Sequence, residues 1–255
     1  MKNVSPKKYL GQHFLKDETI AQKIGESLNQ SNTYDGILEV GPGMGVMTKY
    51  IRKKYPSHDF RLIELDTESV AFLNVNYPLI KVYNDDFLKL NFKNVFDGEF
   101  AVIGNYPYNI SSQIVFKVIE NRALIPEMSG MFQKEVAERI CECPGNKSYG
   151  VISVLTQAFY DCEYLFTVPE HVFNPPPKVK SGVIRLVRKE KPISCDYGAF
   201  KHLVKTAFNQ RRKMLRKSLK ALFEEETLKL EVFTKRPEQL SVDDFVELVA
   251  LKKTN

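Results

Sequence analysis

The sequence lacks the features of membrane proteins and of disulfide-stabilised proteins. No apolar run approaches the roughly 20 residues that a membrane-spanning helix needs, and the basic start of the chain has no apolar stretch behind it, as a secretory signal would. The four cysteines do not make a disulfide framework, and their spacing fits no zinc site. We therefore expect a cytoplasmic protein with reduced thiols, no metal centre and no attachment to a membrane.

The remaining composition is typical of a globular protein. The chain has 255 residues, of which 43% are hydrophobic and 27% are charged, so it can hold one large domain and one small domain. The formal net charge is +6, an excess whose position matters more than its size. Nothing in the sequence indicates an obligate dimer, and we expect a monomer.

Four predicted strands in the first half of the chain each end in a polar or glycine-rich loop. The first runs into a turn with Gly41, Gly43 and Gly45 and then a helix, a pattern typical of the start of a nucleotide-binding α/β unit. The next three strands end at Glu64, Asp86 and Asn105. Because ligands of open parallel sheets bind outside the carboxyl ends of the strands, we expect these groups to line one crevice. The glycine spacing alone also fits a plain tight turn or a dinucleotide-dependent oxidoreductase.

The loop Asn105–Tyr108 follows the apolar run 100–103, which is predicted to be a buried strand. Pro107 cannot donate to a ladder and restricts the residue before it, so the loop should be stiff. An amide oxygen and a backbone carbonyl can accept both hydrogens of one amino group, and an aromatic ring can stack on a flat heterocycle. The loop therefore suits a planar base with an exocyclic amine, although a strand-end turn with a packed tyrosine has the same spacing.

Two other segments carry candidate groups. Residues 9–15 show no helical or strand period, but their apolar side chains would hold the segment on a surface and present Gln12 and His13. Phe173 precedes Pro175–Pro177, which fix a rigid extended segment. The preceding strand would bring Phe173 near the same crevice, although a plain core position is the alternative.

After a charged linker at residues 188–196 the chain is predicted to be helical. The segment 211–220 has six basic residues and no acidic one, on a predicted helix with an apolar stripe of leucines. Solvated charged faces usually mix both signs, so this segment favours a surface that contacts phosphate. The candidate phosphate-binding residues are Arg211, Arg212, Lys213, Arg216 and Lys217.

Together these segments resemble the family of bacterial small-subunit ribosomal RNA adenine dimethyltransferases. The resemblance covers nearly the whole chain and is carried by residues 10–15, 39–45, 64–66, Asp86, 105–111, 173–179 and 210–213. The Asn-x-Pro-Tyr loop is shared by amino-group methyltransferases, whereas the N-terminal and triple-proline segments are specific to this family and its near relatives. His13, Tyr106 and Lys180 stand where the family usually has Asn, Leu and Asp.

The resemblance implies an α/β fold with two domains. Residues 1–190 would form a Rossmann-like class I S-adenosylmethionine-dependent methyltransferase domain, and residues 191–255 a small α-helical RNA-binding domain. The implied cofactor-binding residues are Gln12, His13, Leu15, Gly41, Gly43, Glu64, Asp86 and Asn105. The implied catalytic residues are Asn105, Pro107, Tyr108 and Phe173, with the two rings holding the adenine and the amide and carbonyl oxygens accepting its amino hydrogens.

The implied reaction is N6-dimethylation of two adjacent adenosines in a hairpin loop near the 3′ end of 16S rRNA. The substrate would be the 30S subunit or its precursor, with a role in ribosome biogenesis, and the basic segment and the N-terminal lysines would bind phosphate. The alternatives are a 23S rRNA adenine methylase of the antibiotic-resistance type and a non-catalytic RNA-binding assembly factor.

Overall fold

A computed structural model describes residues 4–252 of the chain. The chain divides into two compact units, one of residues 1–137 and 162–188 and the other of residues 138–161 and 189–255. In this division, residues 138–161 group with the C-terminal helices. The division of catalysis and RNA binding at residues 190 and 191 stays a prediction.

The nine strands of the described part form one large sheet and one small one. They are β1 (Phe14–Leu15), β2 (Gly36–Val40), β3 (Asp59–Ile63), β4 (Lys81–Tyr83), β5 (Phe100–Asn105), β6 (Glu127–Gln133), β7 (Tyr160–Val168), β8 (Phe173–Asn174) and β9 (Ser181–Arg188). The large sheet has the order β4-β3-β2-β5-β6-β9-β7, and β1 pairs with β8 in a two-stranded antiparallel sheet. The pairs from β4 through β6 are parallel, and β9 is antiparallel to β6.

Helices alternate with the strands of the large sheet and predominate after residue 190. They are α1 (Glu18–Gly25), α2 (Thr48–Lys54), α3 (Thr67–Asn76), α4 (Ser111–Glu120), α5 (Lys134–Cys141), α6 (Val151–Gln157), α7 (Tyr197–Asn209), α8 (Leu215–Ser218) and α9 (Val242–Ala250). Short 3-10 helices lie at Lys8–Leu10, Phe92–Asn94, Glu170–Val172, Thr227–Lys229, Glu231–Thr234 and Pro237–Gln239. Within residues 4–252, no helix is both long and apolar enough to cross a membrane. The predicted α/β fold is confirmed.

The central strands form the core of the first unit. All five residues of β2 are buried, as are the first five of β5. Strands of a parallel sheet that are covered on both faces have such continuous apolar runs. Ile37 of β2 and Ile103 of β5 belong to one apolar cluster with Ile24 of α1 and Ile51 of α2. The sheet is therefore held rigidly behind the loops that follow β2 and β5.

The first helix is shorter than its apolar pattern predicts. Asp17 caps α1 by accepting from the backbone N–H of Ile20 at 3.0 Å, as its position predicts. The pattern predicts a helix to about Gln30, but α1 ends at Gly25. The N–H groups of Asn29 and Gln30 donate instead to the buried carboxylate of Glu127, at 2.8 and 2.9 Å. A long-range partner therefore ends this helix.

The predicted helix over residues 209–220 is wrong. Residues 210–213 form a turn, and α8 contains only Leu215–Ser218. In a continuous helix the N–H of Leu215 would donate to the carbonyl of Arg211, but it donates to the carbonyl of Lys235 at 2.9 Å. Of the predicted apolar stripe, Leu215 and Leu219 are fully buried and Leu222 is partly buried.

Candidate active site

A cavity of about 300 Å³ lies beyond the carboxyl ends of β2, β3, β4 and β5. Its volume is at the lower end of the range for small-molecule sites. It is lined by predicted residues from five separate segments: Gln12, His13, Gly41, Gly43, Glu64, Asp86, Asn105, Pro107 and Tyr108. The structure therefore brings together every predicted cofactor-binding residue except Leu15, and every predicted catalytic residue except Phe173.

The glycine turn brings backbone to the edge of this cavity. Gly41 and Gly43 have φ angles of +65° and +57°, in the left-handed region that favours glycine. A Cβ on Gly43 would lie 3.1 Å from the ring of Phe14. The N–H of Gly41 donates to the carbonyl of Ile63 at 2.9 Å, which fixes the turn against the end of β3.

Glu64 is a buried carboxylate that lines the cavity. Its side chain accepts hydrogen bonds from the N–H of Gly43 at 3.0 Å and from the N–H of Asp66 at 2.9 Å, one on each oxygen. Burial raises the pKa of Glu64, and these two backbone N–H groups offset the rise only in part. Each carboxylate oxygen has a further lone pair, so Glu64 can also accept from hydroxyl groups of a ligand.

Asp86 follows β4 and lines the same cavity. One of its carboxylate oxygens accepts from the N–H of Leu88 at 2.9 Å, and the other lies 3.9 Å from the ammonium of Lys89. The side chain is 28% exposed. Asp86 is thus a fixed acceptor whose second oxygen can receive a ligand amine.

The side chain of Asn105 has a defined orientation. Its Nδ2 donates to the backbone carbonyl of His13 at 3.1 Å. Among residues 4–252, none donates to its Oδ1, so this acceptor is free for a ligand amino group. The loop behind Asn105 is held by Tyr106, whose buried hydroxyl donates to the carbonyl of Ser129 at 2.8 Å.

Tyr108 lines the cavity with its ring stacked on that of His13. The ring centroids lie 5.5 Å apart and the ring planes differ by 26°. The Tyr108 hydroxyl hydrogen-bonds to Ser181 Oγ at 2.6 Å. His13 Nδ1 lies 2.8 Å from the carbonyl of Pro175, and a carbonyl can only accept, so Nδ1 carries the proton. His13 therefore joins the N-terminal segment to both the Tyr108 loop and the proline-rich segment.

Two predicted site residues lie outside this cavity. Leu15 and Phe173 are paired in the β1–β8 sheet and are only 5% and 1% exposed. Both belong to the apolar core of the first unit. Leu15 lines a smaller cavity, of about 50 Å³, that is also lined by Asn105 and the glycine turn. The predicted stacking of Phe173 on adenine stays a prediction.

Glu39, the last-but-one residue of β2, lines the smaller cavity and is 1% exposed. Burial raises its pKa to about 8, although a 2.7 Å hydrogen bond from the Thr48 hydroxyl works in the opposite direction. The neighbouring carboxylate of Glu64 adds to the rise. At neutral pH this carboxyl group therefore favours its protonated form.

The N-terminal segment is held by an ion pair that the sequence analysis did not anticipate. The ammonium of Lys7 pairs with Asp66 and, at 3.3 Å, with Glu68. The N–H of Lys7 donates to Gln12 Oε1 at 2.8 Å. This pairing engages the ammonium of Lys7, and Lys2, another of the N-terminal lysines, lies outside the described residues. Phosphate binding by the N-terminal lysines stays a prediction.

Sequence reasoning missed several residues of the cavity wall, among them Tyr9, Phe14, Leu65 and Asp85. The signal for Leu65 and Asp85 was available, because each adjoins a predicted acidic strand-end residue. Tyr9 and Phe14 belong to a segment without a period, so no pattern marked which of its side chains face the cavity. Within residues 4–252, no group of three or more His, Cys, Asp or Glu is arranged to hold a metal ion.

The predicted phosphate-binding residues lie in the second unit. Arg212, Lys213, Arg216 and Lys217 are exposed there. The side chain of Arg211 is only 35% exposed. These residues thus differ in how much of their charge faces solvent.

Nearly the whole chain matches a known family. The model of the family described as ribosomal RNA adenine dimethylase matches residues 3–253. A protein of Flavobacterium johnsoniae named ribosomal RNA small subunit methyltransferase A is 58% identical over 253 residues, which cover 97% of this chain and 96% of that protein. A protein of the same name from Parabacteroides distasonis is 54% identical over 258 residues, covering 99% and 96%.

Two solved structures share the fold over most of the chain. A dimethyladenosine transferase from Plasmodium falciparum has a TM-score of 0.76 at 24% identity, covering 94% of this chain and 99% of that one. The 23S rRNA methyltransferase ErmE has a TM-score of 0.66 at 25% identity, covering 93% and 99%. The predicted Rossmann-like class I methyltransferase fold is confirmed.

Proposed function

The chain belongs to the ribosomal RNA adenine dimethylase family, and we propose that it dimethylates N6 of two adjacent adenosines in a hairpin loop near the 3′ end of 16S rRNA. The observation that carries this proposal is the position of Asn105, Pro107 and Tyr108 on the wall that also contains Glu64 and Asp86. The binding site for the methyl donor and the binding site for the target adenine would then be contiguous. The protein is an enzyme, as its family membership requires.

Methyltransferases of this family and fold use S-adenosylmethionine, which supplies an activated methyl group when bound. The residues present fit it. Glu64 offers buried carboxylate oxygens suited to two ribose hydroxyls, and Asp86 offers an acceptor for the adenine amine. The backbone at Gly41 and Gly43 would approach the amino acid end. Gln12 and His13 would cover the cofactor from the N-terminal segment, with Leu15 behind them in the core.

The target adenine would have to leave its stack to reach this site. Its exocyclic nitrogen is a poor nucleophile, because the lone pair is delocalised into the ring. Asn105 Oδ1 and the Pro107 carbonyl would accept the two amino hydrogens, which favours a pyramidal nitrogen with an available lone pair. Positioning and fixed dipoles would then provide most of the catalysis.

Tyr108 would stack on the flipped base from the cavity wall. Phe173 would provide a second ring only if its side chain turned out of the core in which it lies. Arg212, Lys213, Arg216 and Lys217 would bind phosphates, which positions the RNA without selecting the base. We also propose that the enzyme acts as a monomer in the cytoplasm, during biogenesis of the small subunit.

The relatives favour the small subunit as the substrate over the large one. Proteins named for the small subunit are 58% and 54% identical to this chain, whereas ErmE, named for 23S rRNA, is 25% identical. The difference supports the 16S rRNA proposal over the antibiotic-resistance alternative. The free acceptor on Asn105 supports a catalytic protein over a pure assembly factor.

The proposal is tested by incubating the protein with labelled S-adenosylmethionine and either unmethylated small subunits or 23S rRNA, followed by mapping of the modified bases. We expect two labelled, adjacent adenosines in 16S rRNA and none in 23S rRNA. Label in 23S rRNA alone would establish the resistance-type alternative. No label, together with no cofactor binding in calorimetry, would favour the assembly-factor alternative.

A further inference from the structure

Arg211 lies in a basic turn, yet its guanidinium is directed at the protein. Its Nη2 donates to the carbonyls of Lys147 and Asn146, at 2.5 and 3.4 Å. Its Nε lies 3.9 Å from Oε2 of Glu238, a buried oxygen that receives no hydrogen bond within residues 4–252. Arg211 therefore lies beside the partly buried carboxylate of Glu238 and donates to two carbonyls, so its guanidinium is engaged by the protein.

The same contacts fix the loop at residues 144–148. The N–H of Gly145 donates to the carbonyl of Glu238 at 2.6 Å. Tyr149, directly after the loop, is fully buried, and its ring lies 6.4 Å from that of Phe208 in α7. The loop is thus held at its start, at its end and, through Arg211, in its middle. Its conformation depends on residues more than 50 positions further along the chain.

Lys147 is exposed on this loop and forms no ion pair with any residue between 4 and 252. Arg212 and Lys213, which directly follow Arg211, are exposed and equally without an ion pair in that part of the chain. Because Arg211 donates to the backbone carbonyl of Lys147, the loop that carries Lys147 lies next to the turn that carries Arg212 and Lys213. Unpaired like charges repel one another until a polyanion neutralises them, and a run of phosphates does so with release of counterions.

We propose that Lys147 binds phosphate of the RNA and that Arg211 is a positioning residue that acts through Lys147. This inference deepens the proposed function and rests on it, since the phosphates are those of the ribosomal RNA. It also differs from the sequence-based prediction, in which Arg211 itself binds phosphate. Lys147 was not among the predicted candidates, because it lies far from the basic segment in sequence.

The test measures binding of the full chain to an unmethylated 16S rRNA transcript at several salt concentrations. Each phosphate contact contributes about −0.7 to −0.9 to the slope of log K against log salt. We expect K147A to reduce the slope by about one contact. Raising the salt from about 50 to 200 mM should then weaken RNA binding by a factor about threefold smaller in K147A than in the wild type. K53A, which removes an exposed lysine from α2, is the control for loss of net charge.

Double variants separate positioning from direct contact. We expect R211Q and R211K to reduce the slope as K147A does, and K147A to have little further effect in either background. Arg212 serves as the matched comparison, because R212Q and K147A should reduce the slope additively. Cleavage of the 144–148 loop by trypsin should be faster in R211Q and R211K than in R212Q.

An unchanged slope in K147A, or a wild-type slope in R211K, would overturn the inference. The K147A result does not depend on Arg211, so it decides the role of Lys147 even if the Arg211 variants fail to fold. If R212Q weakens binding but K147A does not, only this inference fails. If the wild-type protein does not bind or methylate the transcript or the subunit, the proposed function fails instead.

Discussion

The side-chain nitrogen of Asn105 donates to the backbone carbonyl of His13 at 3.1 Å. A carbonyl can only accept, so this bond distinguishes the two ends of the amide and directs Oδ1 away from His13. The N-terminal segment therefore sets the orientation of the group proposed to accept the adenine amine. The backbone carbonyl of His13 thus orients Oδ1 of Asn105 before any substrate is present.

We expect N105A to lose about 100-fold or more in methyl transfer, because it removes a preorganised dipole at the reacting nitrogen. Cofactor affinity, measured by calorimetry, should fall much less than methyl transfer, because Glu64, Asp86 and the glycine turn would still bind the cofactor. N105D is the informative comparison, since its carboxylate keeps two acceptors but cannot donate to His13. Wild-type turnover in N105D would show that the bond to His13 has no part in orienting the acceptor.

Tyr108 is expected to act through its ring and not through its hydroxyl. Base stacking contributes about 1–3 kcal/mol per base, so Y108A should reduce kcat/KM for RNA by about tenfold to a hundredfold. Y108F loses only the hydrogen bond to Ser181 and should stay within a few-fold of the wild type. Equal losses in both variants, measured in steady-state kinetics, would instead assign the effect to the hydroxyl.

Phe173 is expected to contribute mainly to stability. Its ring is 1% exposed and belongs to the core with Leu15, so F173A should lower the free energy of unfolding by about 3–5 kcal/mol. Denaturant titration measures this loss. F173L keeps most of the apolar volume and is the control. A large loss of activity in F173L at nearly unchanged stability would support the stacking role predicted from the sequence.

The buried carboxyl of Glu39 should make stability depend on pH. Its pKa is raised to about 8 in the folded protein by burial, against about 4.3 in an unfolded chain. The folded state therefore binds the proton more tightly, and this contribution is complete below the unfolded pKa and lost as pH rises towards about 8. We expect E39Q to remove this part of the pH dependence, because glutamine resembles the protonated acid.

Thermal unfolding between pH 5 and pH 8.5 measures the effect of Glu39. The melting temperature of E39Q should fall less across this range than that of the wild type. E225Q, a change at an exposed glutamate, is the control and should follow the wild-type curve. Parallel curves for E39Q and the wild type would contradict the assignment.

The candidate site could be predicted largely because it lies at the ends of parallel strands. Gly41, Glu64, Asp86 and Asn105 are far apart in sequence, but each follows a buried strand, and parallel strands bring such positions to one edge. The prediction needed only the order of strands and polar residues. No side-chain contact had to be known in advance.

Contacts between distant segments could not be predicted in the same way. The helix over 209–220 failed because Lys235 takes the N–H of Leu215, and α1 ends early because Glu127 binds two N–H groups. Local patterns contain no information on such partners. The hydrogen bond from Arg211 to the carbonyl of Lys147 illustrates the same limit, since no pattern in the sequence indicates that these two residues meet.

The ion pair between Lys7 and Asp66 affects how readily a ligand could enter or leave the large cavity. Residues 9–14 form one wall of that cavity and are tied down by this link on one side and by the β1–β8 pairing on the other. Burial alone would raise the pKa of Asp66, but Lys7 and Ser69 outweigh it and lower the pKa. The Asp66 side chain is only 1% exposed, so dissolved ions screen the link poorly. Moving this wall outward would separate the ammonium of Lys7 from the buried carboxylate of Asp66. The free-energy cost of this movement is therefore high at neutral pH and lower in acid, where Asp66 takes up a proton.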